Sequence, residues 1–193
     1  MNDYKSQKIQ GLAMRAQKVA VPHYRKTLQT SNVVVQRNMV SLSGPNIEPV
    51  SVAQSSTFKY QGVRYVAERA IDGDMNTVSH TYCAWDTDLW YKMELDAVHC
   101  VTGIVLIQSH FGLAYAFRMQ DLKVILMDSS TGTESVCGTL KVRKVWTAEG
   151  QTYWIPCDVC GDQVKLLLRH DKGDYTYPAC IHIRELKAVK GGL

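Results

Sequence analysis

From Asn32 onward the chain is written in short β-branched and aromatic runs separated by turn residues. Asn32-Val33-Val34-Val35 and Met39–Leu42 lead into the turn Ser43-Gly44-Pro45-Asn46, and Val50–Ala53 is the next apolar run. Further strands are predicted at Leu89–Leu95, Val101–Gln108, Asp121–Met127, Thr139–Trp146, Thr152–Cys157, Gln163–Arg169 and Ala179–Val189. Several of these alternate with a period of two. Tyr91, Met93 and Leu95 fall on one side and Lys92 and Glu94 on the other. Ile181 and Ile183 likewise oppose His182 and Arg184. Such segments predict strands with one buried and one wet face. Val63–Ile71 is mixed and ends in Asp72-Gly73-Asp74, a turn signal. No window of this region predicts a long helix. Short strands joined by Gly, Asp and Ser turns predict an all-β fold, an antiparallel β-sandwich or jelly roll.

The first 30 residues read differently. Ile9, Leu12 and Met14 are too sparse for a helical core face, and Pro22 ends the weak pattern over residues 4–20. Lys5, Lys8, Arg15, Lys18, Arg25 and Lys26 oppose only Asp3 there, whereas residues 31–193 carry 16 basic and 17 acidic side chains. The net charge of +4 therefore belongs to the leading segment. The chain divides into a basic, extended or weakly helical N-terminal arm at 1–30 and a β domain at 31–193. Such an arm is a solvated tail or a contact for an acidic partner. The β domain has no basic stripe with interleaved aromatics, which argues against a nucleic-acid partner. With 193 residues, 46% of them hydrophobic and 21% charged, the composition is that of a globular protein. No apolar run nears the roughly 18 residues of a transmembrane helix. No apolar block of the signal-peptide kind lies near Met1, so export implies a processed form or another route.

All six cysteines, Cys83, Cys100, Cys137, Cys157, Cys160 and Cys180, lie in the β domain. An even number confined there indicates three disulfides and an oxidising, extracellular setting, with 15 pairings open. Zinc is the competing reading: Cys157-x-x-Cys160 has ligand spacing, and His80, Cys83 and His182 offer further donors. Catalytic signatures are lacking: there is no G-x-S-x-G, H-E-x-x-H, phosphate loop or dinucleotide fingerprint. Asp86 and Asp88, beside Trp85 and Trp90, have the composition of a glycosidase pair, but two carboxylates two apart in a loop are ordinarily turn residues. The residues favour a binding module over an enzyme.

The run Ala70-Ile71-Asp72-Gly73-Asp74-Met75-Asn76-Thr77, then Cys83, then Trp90-Tyr91-Lys92-Met93-Glu94-Leu95, resembles the F-type lectins, the fucolectin, tachylectin-4 and pentraxin-1 type domains. These belong to the discoidin-like, galactose-binding-like jelly rolls. Ala179-Cys180-Ile181-His182-Ile183-Arg184-Glu185-Leu186 is similar to the last cysteine-bearing strand of that family, and the likeness extends over about residues 48–190.

The resemblance implies a glycan or glycoprotein as partner, a Cys83–Cys180 bridge and a Cys137–Cys157 bridge; the remaining Cys100 and Cys160 form the third. It also implies a structural calcium, with a carboxylate from Asp72 and main-chain carbonyls from Arg69, Asp74 and Cys180. Two features depart from the family: Ile181 stands where a glutamate follows the last cysteine, and Tyr82 precedes Cys83 in a shortened loop. Asp74 or Asn76 is expected to compensate with side-chain oxygens. Members that bind fucose use one histidine, two arginines and a vicinal cysteine pair. Here Trp85 replaces the histidine, Ser109 the first arginine, and the second falls at Phe117 or Arg118; Phe111-Gly112-Leu113-Ala114 lacks the cysteines. The rim then consists of Trp85, Ser109, His110, Phe111, Tyr115, Phe117 and Arg118, with Tyr175 and Tyr177 on a later loop. Rings plus an arginine suit another sugar, or a protein partner or second copy, with the fold as an assembly component.

Overall fold

The computed structural model describes residues 45–109, 113–142 and 151–191. The basic arm and the runs Asn32–Val35 and Met39–Leu42 lie outside the described residues. In chain order the strands are β1 (Asn46–Ile47), β2 (Pro49–Gln54), β3 (Lys59–Tyr60), β4 (Val63–Arg64), β5 (Ser79–His80), β6 (Leu89–Gln108), β7 (Lys123–Asp128), β8 (Thr133–Thr139), β9 (Thr152–Leu168) and β10 (His182–Lys190). One 3₁₀ turn, Ala67–Ala70, precedes β5, and a five-residue helix α1, Leu113–Phe117, follows β6. All pairing among the named strands is antiparallel. The body is a β-sandwich of the jelly-roll kind.

β6 and β9 organise it. Each merges two of the expected strands, and they pair with one another from Leu89–Leu168 at one end to Ile107–Thr152 at the other. The first part of β6 also pairs with β2, and the matching part of β9 with β7, which pairs with β8. The second part of β6 pairs with β10. Between these parts the ladder skips from Glu94–Gln163 to His99–Gly161, and Asp96, Ala97 and Val98 project into solvent. Asp158, at φ 44°, takes the left-handed conformation that aspartate tolerates better than most residues. Such irregularities let one strand pass from layer to layer.

Alternation fills the space between the layers. Tyr91, Met93 and Leu95 are buried as expected, against Ile104 and Leu106, Tyr153 and Ile155, Val164, Leu166 and Leu168, and Val124 and Leu126. Each large side chain buried there contributes about 1.5–3 kcal/mol. Tyr91 also donates its hydroxyl to the Ala67 carbonyl at 3.0 Å, and burial, aided by nearby carboxylates, raises its pKa.

Two expectations need correction. The strand expected to begin at Thr139 instead ends there, as Thr133–Thr139, because Asp128–Gly132 turns the chain straight back from β7, with Gly132 at φ 71°; residues 143–146 of that expectation lie outside the described residues. The second face of β10 is not wet: His182, Arg184 and Glu185 are buried beside Ile181 and Ile183. β10 lies between β6 and the short strands β1 and β5, and Tyr115 of α1 covers His182.

Three disulfides use all the cysteines, Cys83–Cys180, Cys100–Cys160 and Cys137–Cys157. These are the pairs implied by the resemblance and by the remaining two residues. The zinc reading falls, since Cys157 and Cys160 join different partners and Cys83 is bridged. In the chain-entropy account, a bridge spanning 97 residues contributes about 4–5 kcal/mol by restricting the unfolded chain.

Gly103 is fixed by contact. It faces Pro156, which has no N–H to donate, where the β6–β9 ladder shifts, and the Trp154 ring lies over it. A Cβ added at Gly103 would sit 2.1 Å from that ring. Gly103→Ala is therefore expected to cost about 1–3 kcal/mol, read as a lower urea midpoint at unchanged slope.

Candidate functional site

Three segments meet at the end of the sandwich where β6 begins and β9 stops: residues 81–88, 113–122 and 169–181. Their backbones are laced together. Ala84 and Ala179 form an isolated bridge, and the Asp86 N–H donates to the His170 carbonyl at 3.0 Å. Asp86 Oδ1 accepts the Lys172 N–H at 3.0 Å, and Asp88 lies 3.6 Å from Arg169. These carboxylates are occupied in shaping the loops. The His170 ring spans from the Gln120 carbonyl (2.8 Å) to the Tyr177 carbonyl (2.9 Å) and stacks on Tyr175 at 3.9 Å. Tyr175 in turn donates to Asp121 at 3.2 Å.

The Cys83–Cys180 bridge joins two of these segments, and Arg118 joins the third to them. The Arg118 carbonyl accepts the Cys180 N–H at 3.1 Å, and Nη1 lies 3.5 Å from Cys83 Sγ and 3.9 Å from Cys180 Sγ. Its guanidinium rests 4.4 Å above the Tyr115 ring. Nε is buried with no hydrogen-bond partner among the described residues. An unmade hydrogen bond at a charged group is expensive, so this N–H is a donor lacking its acceptor.

Trp85 and Phe117 are half-buried, Trp85 two residues beyond Cys83 and Phe117 on α1. Tyr82, on the other side of Cys83, is 49% exposed. Its ring meets Phe58 edge-on at 5.7 Å, and Phe58 packs against Tyr65. Sequence reasoning gave Tyr82 no role at the rim; its place beside a bridge cysteine was the available signal. His110 and Phe111 lie outside the described residues.

Ser109 does not reach the rim surface. It is buried and donates its hydroxyl to His182 Nδ1 at 2.6 Å. The Tyr115 carbonyl, which can only accept, fixes the proton on His182 Nε2 at 2.8 Å. His182 is fully buried, with His80 5.5 Å away. Burial, then His80 and Arg118, push the His182 pKa down to about 3. Burial also lowers that of His80, which hydrogen-bonds the Thr81 carbonyl. Both imidazoles sit under Arg118 as neutral rings.

The loop expected to hold calcium brings most of its members together. Asp72 Oδ1 accepts the Asp74 N–H at 2.9 Å, with Gly73 between them at φ 73°. Thr77 Oγ1 lies 3.1 Å from the Arg69 carbonyl, 2.7 Å from Asp72 Oδ2 and 3.1 Å from the Asp74 carbonyl. One hydroxyl proton serves three acceptor oxygens. Two carbonyls, a carboxylate and a hydroxyl therefore converge with too few protons, a donor set that suits a hard cation. Thr77 was not among the expected ligands. Asn76 instead directs its amide onto Asp74 Oδ1 at 2.9 Å, and Cys180 sits in its bridge below Arg118. Glu185 lies close enough to Asp72 to feel its charge. Burial raises the Glu185 pKa, Lys187 opposes this, and Asp72 and Glu48 add to it. It offers a second carboxylate where the family glutamate is replaced by Ile181. Among the described residues no three His, Cys, Asp or Glu side chains form a metal cluster, so the set rests on backbone and hydroxyl oxygens.

No protein-family model matches the chain, and no curated protein matches it in sequence. Solved structures do match. One is a fucolectin from striped bass (Morone saxatilis) serum, at TM-score 0.59 and 18% identity, covering 78% of this chain and 49% of that one. The chain thus spans about half the length of that protein. A Streptococcus pneumoniae fucose-binding module matches at TM-score 0.56 and 18% identity over 77% of this chain and 99% of that one. A family 32 carbohydrate-binding module from Clostridium perfringens, solved with galactose, matches at TM-score 0.52 and 16% identity over 74% and 97%. The fold is that of the galactose-binding-like, F-type-lectin and discoidin-like domains.

The two buried histidines generate a pH prediction. On unfolding, the His182 ring meets water, where its pKa returns to 6.5, whereas the folded ring stays neutral down to about 3. Below pH 6.5 the unfolded chain binds the extra proton, so stability is full above that value and falls as pH drops. The loss approaches about 1.4 kcal/mol per pH unit for His182, with His80 adding in the same direction. Urea midpoints at pH 7, 6 and 5 should decline accordingly, and His182→Asn should flatten the decline.

Proposed function

We propose that the chain is a non-catalytic carbohydrate-binding module that takes a glycan at the rim formed by Trp85, Phe117 and Arg118, with His110 on the same loop as Arg118. The observation that carries this is the half-buried Arg118 side chain, whose guanidinium is held by the Tyr115 ring and the Cys83–Cys180 bridge, with Trp85 and Phe117 in the same rim segments. A sugar hydroxyl or ring oxygen accepts from the Arg118 guanidinium, and Trp85 and Tyr82 offer faces on which a pyranose stacks. The fold neighbours support a glycan, since they include a fucose-binding module and a module solved with galactose. With Ser109 turned inward to His182 and Trp85 in place of a histidine, recognition does not use the fucose triad. The ligand is a glycan gripped by one arginine and rings. The disulfides support an oxidising, extracellular setting.

Calcium fits the same reading as a structural ion. Arg69, Asp72, Asp74 and Thr77, with Glu185, would hold it beside the start of the rim. When bound it supplies charge that relieves the facing oxygens. Millimolar calcium should raise Tm, a gain of about 2.7 kcal/mol at a hundredfold excess over Kd, and chelator should reverse it. In Asp72→Asn the shift should vanish.

A glycan array with and without chelator tests the main reading. Wild-type protein should bind a restricted set of glycans, and Arg118→Ala should lose at least tenfold in affinity while keeping its Tm within a few degrees. Silence across the array would discard it in favour of a second reading, a protein-binding or self-assembling lectin fold. The exposed side chains Tyr60, Val63 and Tyr82 favour that alternative.

A further inference from the structure

The three disulfides differ in what surrounds them. Cys180 is fully buried and its partner Cys83 half-buried; Cys157 is 8% exposed and its partner Cys137 half-buried. Cys100 and Cys160 are both exposed. They face each other directly across the β6–β9 ladder, with Cα atoms 3.8 Å apart. The place is the corner at which both strands change layers, next to the projecting Asp96, Ala97 and Val98 and the exposed Asp158. Thiol–disulfide exchange needs a thiolate to reach a sulfur, so access ranks bridges that are otherwise alike.

We propose that Cys100–Cys160 is a thiol-exchange site for dithiols, while the other two bridges stay closed. One thiolate of the dithiol attacks Sγ of Cys100 or Cys160. A mixed disulfide forms, the S–S bond of the bridge breaks, and the other cysteine leaves as a thiolate. The second thiol of the dithiol then closes on the mixed disulfide. The products are two protein thiols and one oxidised dithiol, so two electrons pass to the bridge. The exchange reaches only the corner. Cys83–Cys180 still clamps the rim, and Cys137–Cys157 still ties β8 to β9.

The test is a time course of the native protein with dithiothreitol, quenched with iodoacetamide and mapped by peptide mass spectrometry. A parallel arm uses thioredoxin as the dithiol. Cys100 and Cys160 should be alkylated together, at least tenfold faster than the other four. Labelling of any other pair first, or of all six at one rate, would overturn the proposal. Labelling by dithiothreitol alone assigns the site to small dithiols, and labelling in both arms extends it to oxidoreductases. The double variant Cys100→Ser, Cys160→Ser should show no early labelling with its circular dichroism spectrum retained; early label on its remaining cysteines would also overturn the assignment. The wild-type order decides the matter even where the variant fails to fold.

Discussion

The β6–β9 ladder is the constraint from which the rest follows. Two strands of 20 and 17 residues run antiparallel through both layers, so each layer is built on a different stretch of the same pair. A change of layer requires a break in the hydrogen-bond ladder, and the break from Glu94 to His99, the left-handed Asp158 and the Cys100–Cys160 bridge all gather there. The other end of the pair fixes the rim. Because β6 begins beside the end of β9, their flanking connections must meet, and each supplies one cysteine of the Cys83–Cys180 bridge.

The rim is polar chemistry held by a dry support. Ser109, His182 and the Tyr115 carbonyl form a buried chain in which the proton positions follow from a carbonyl that cannot donate, and the His80 ring lies 5.5 Å from His182. Neutral imidazoles suit a site next to a guanidinium, since a second buried charge of the same sign would repel it. The Tyr115 ring and the bridge sulfurs hold the Arg118 guanidinium in place. Preorganisation of that kind lowers the ordering cost of binding.

The Asp72 loop shows the same economy by other means. The turn from Asp72 through Gly73 to Asp74 curls carbonyl and carboxylate oxygens around one hydroxyl, and Glu185 approaches from β10. Conformation of the backbone, more than a count of acidic side chains, creates this donor set. It lies on the path from the 3₁₀ turn to β5, which pairs with β10, so occupancy there would stiffen the approach to the rim.

Local pattern alone determined much of this protein. Period-two alternation at Tyr91, Met93 and Leu95 reports which side of a strand meets the core, because adjacent side chains must point to opposite faces. The Asp-Gly-Asp turn and the six cysteines were equally legible, since turn chemistry and sulfur content are properties of the residues themselves. Tertiary structure decided the rest. That β6 and β9 are each continuous depends on a partner strand following them round the corner, which no single segment records. Alternation predicts a wet His182 because it does not know what lies above a sheet face, and here Tyr115 of α1 covers it. Ser109, placed at the rim by the resemblance, is buried because its hydroxyl turns to His182. The roles of Thr77, Glu185 and the Arg118 guanidinium arise from atoms far apart in the chain meeting in space, and only the packed molecule brings them together.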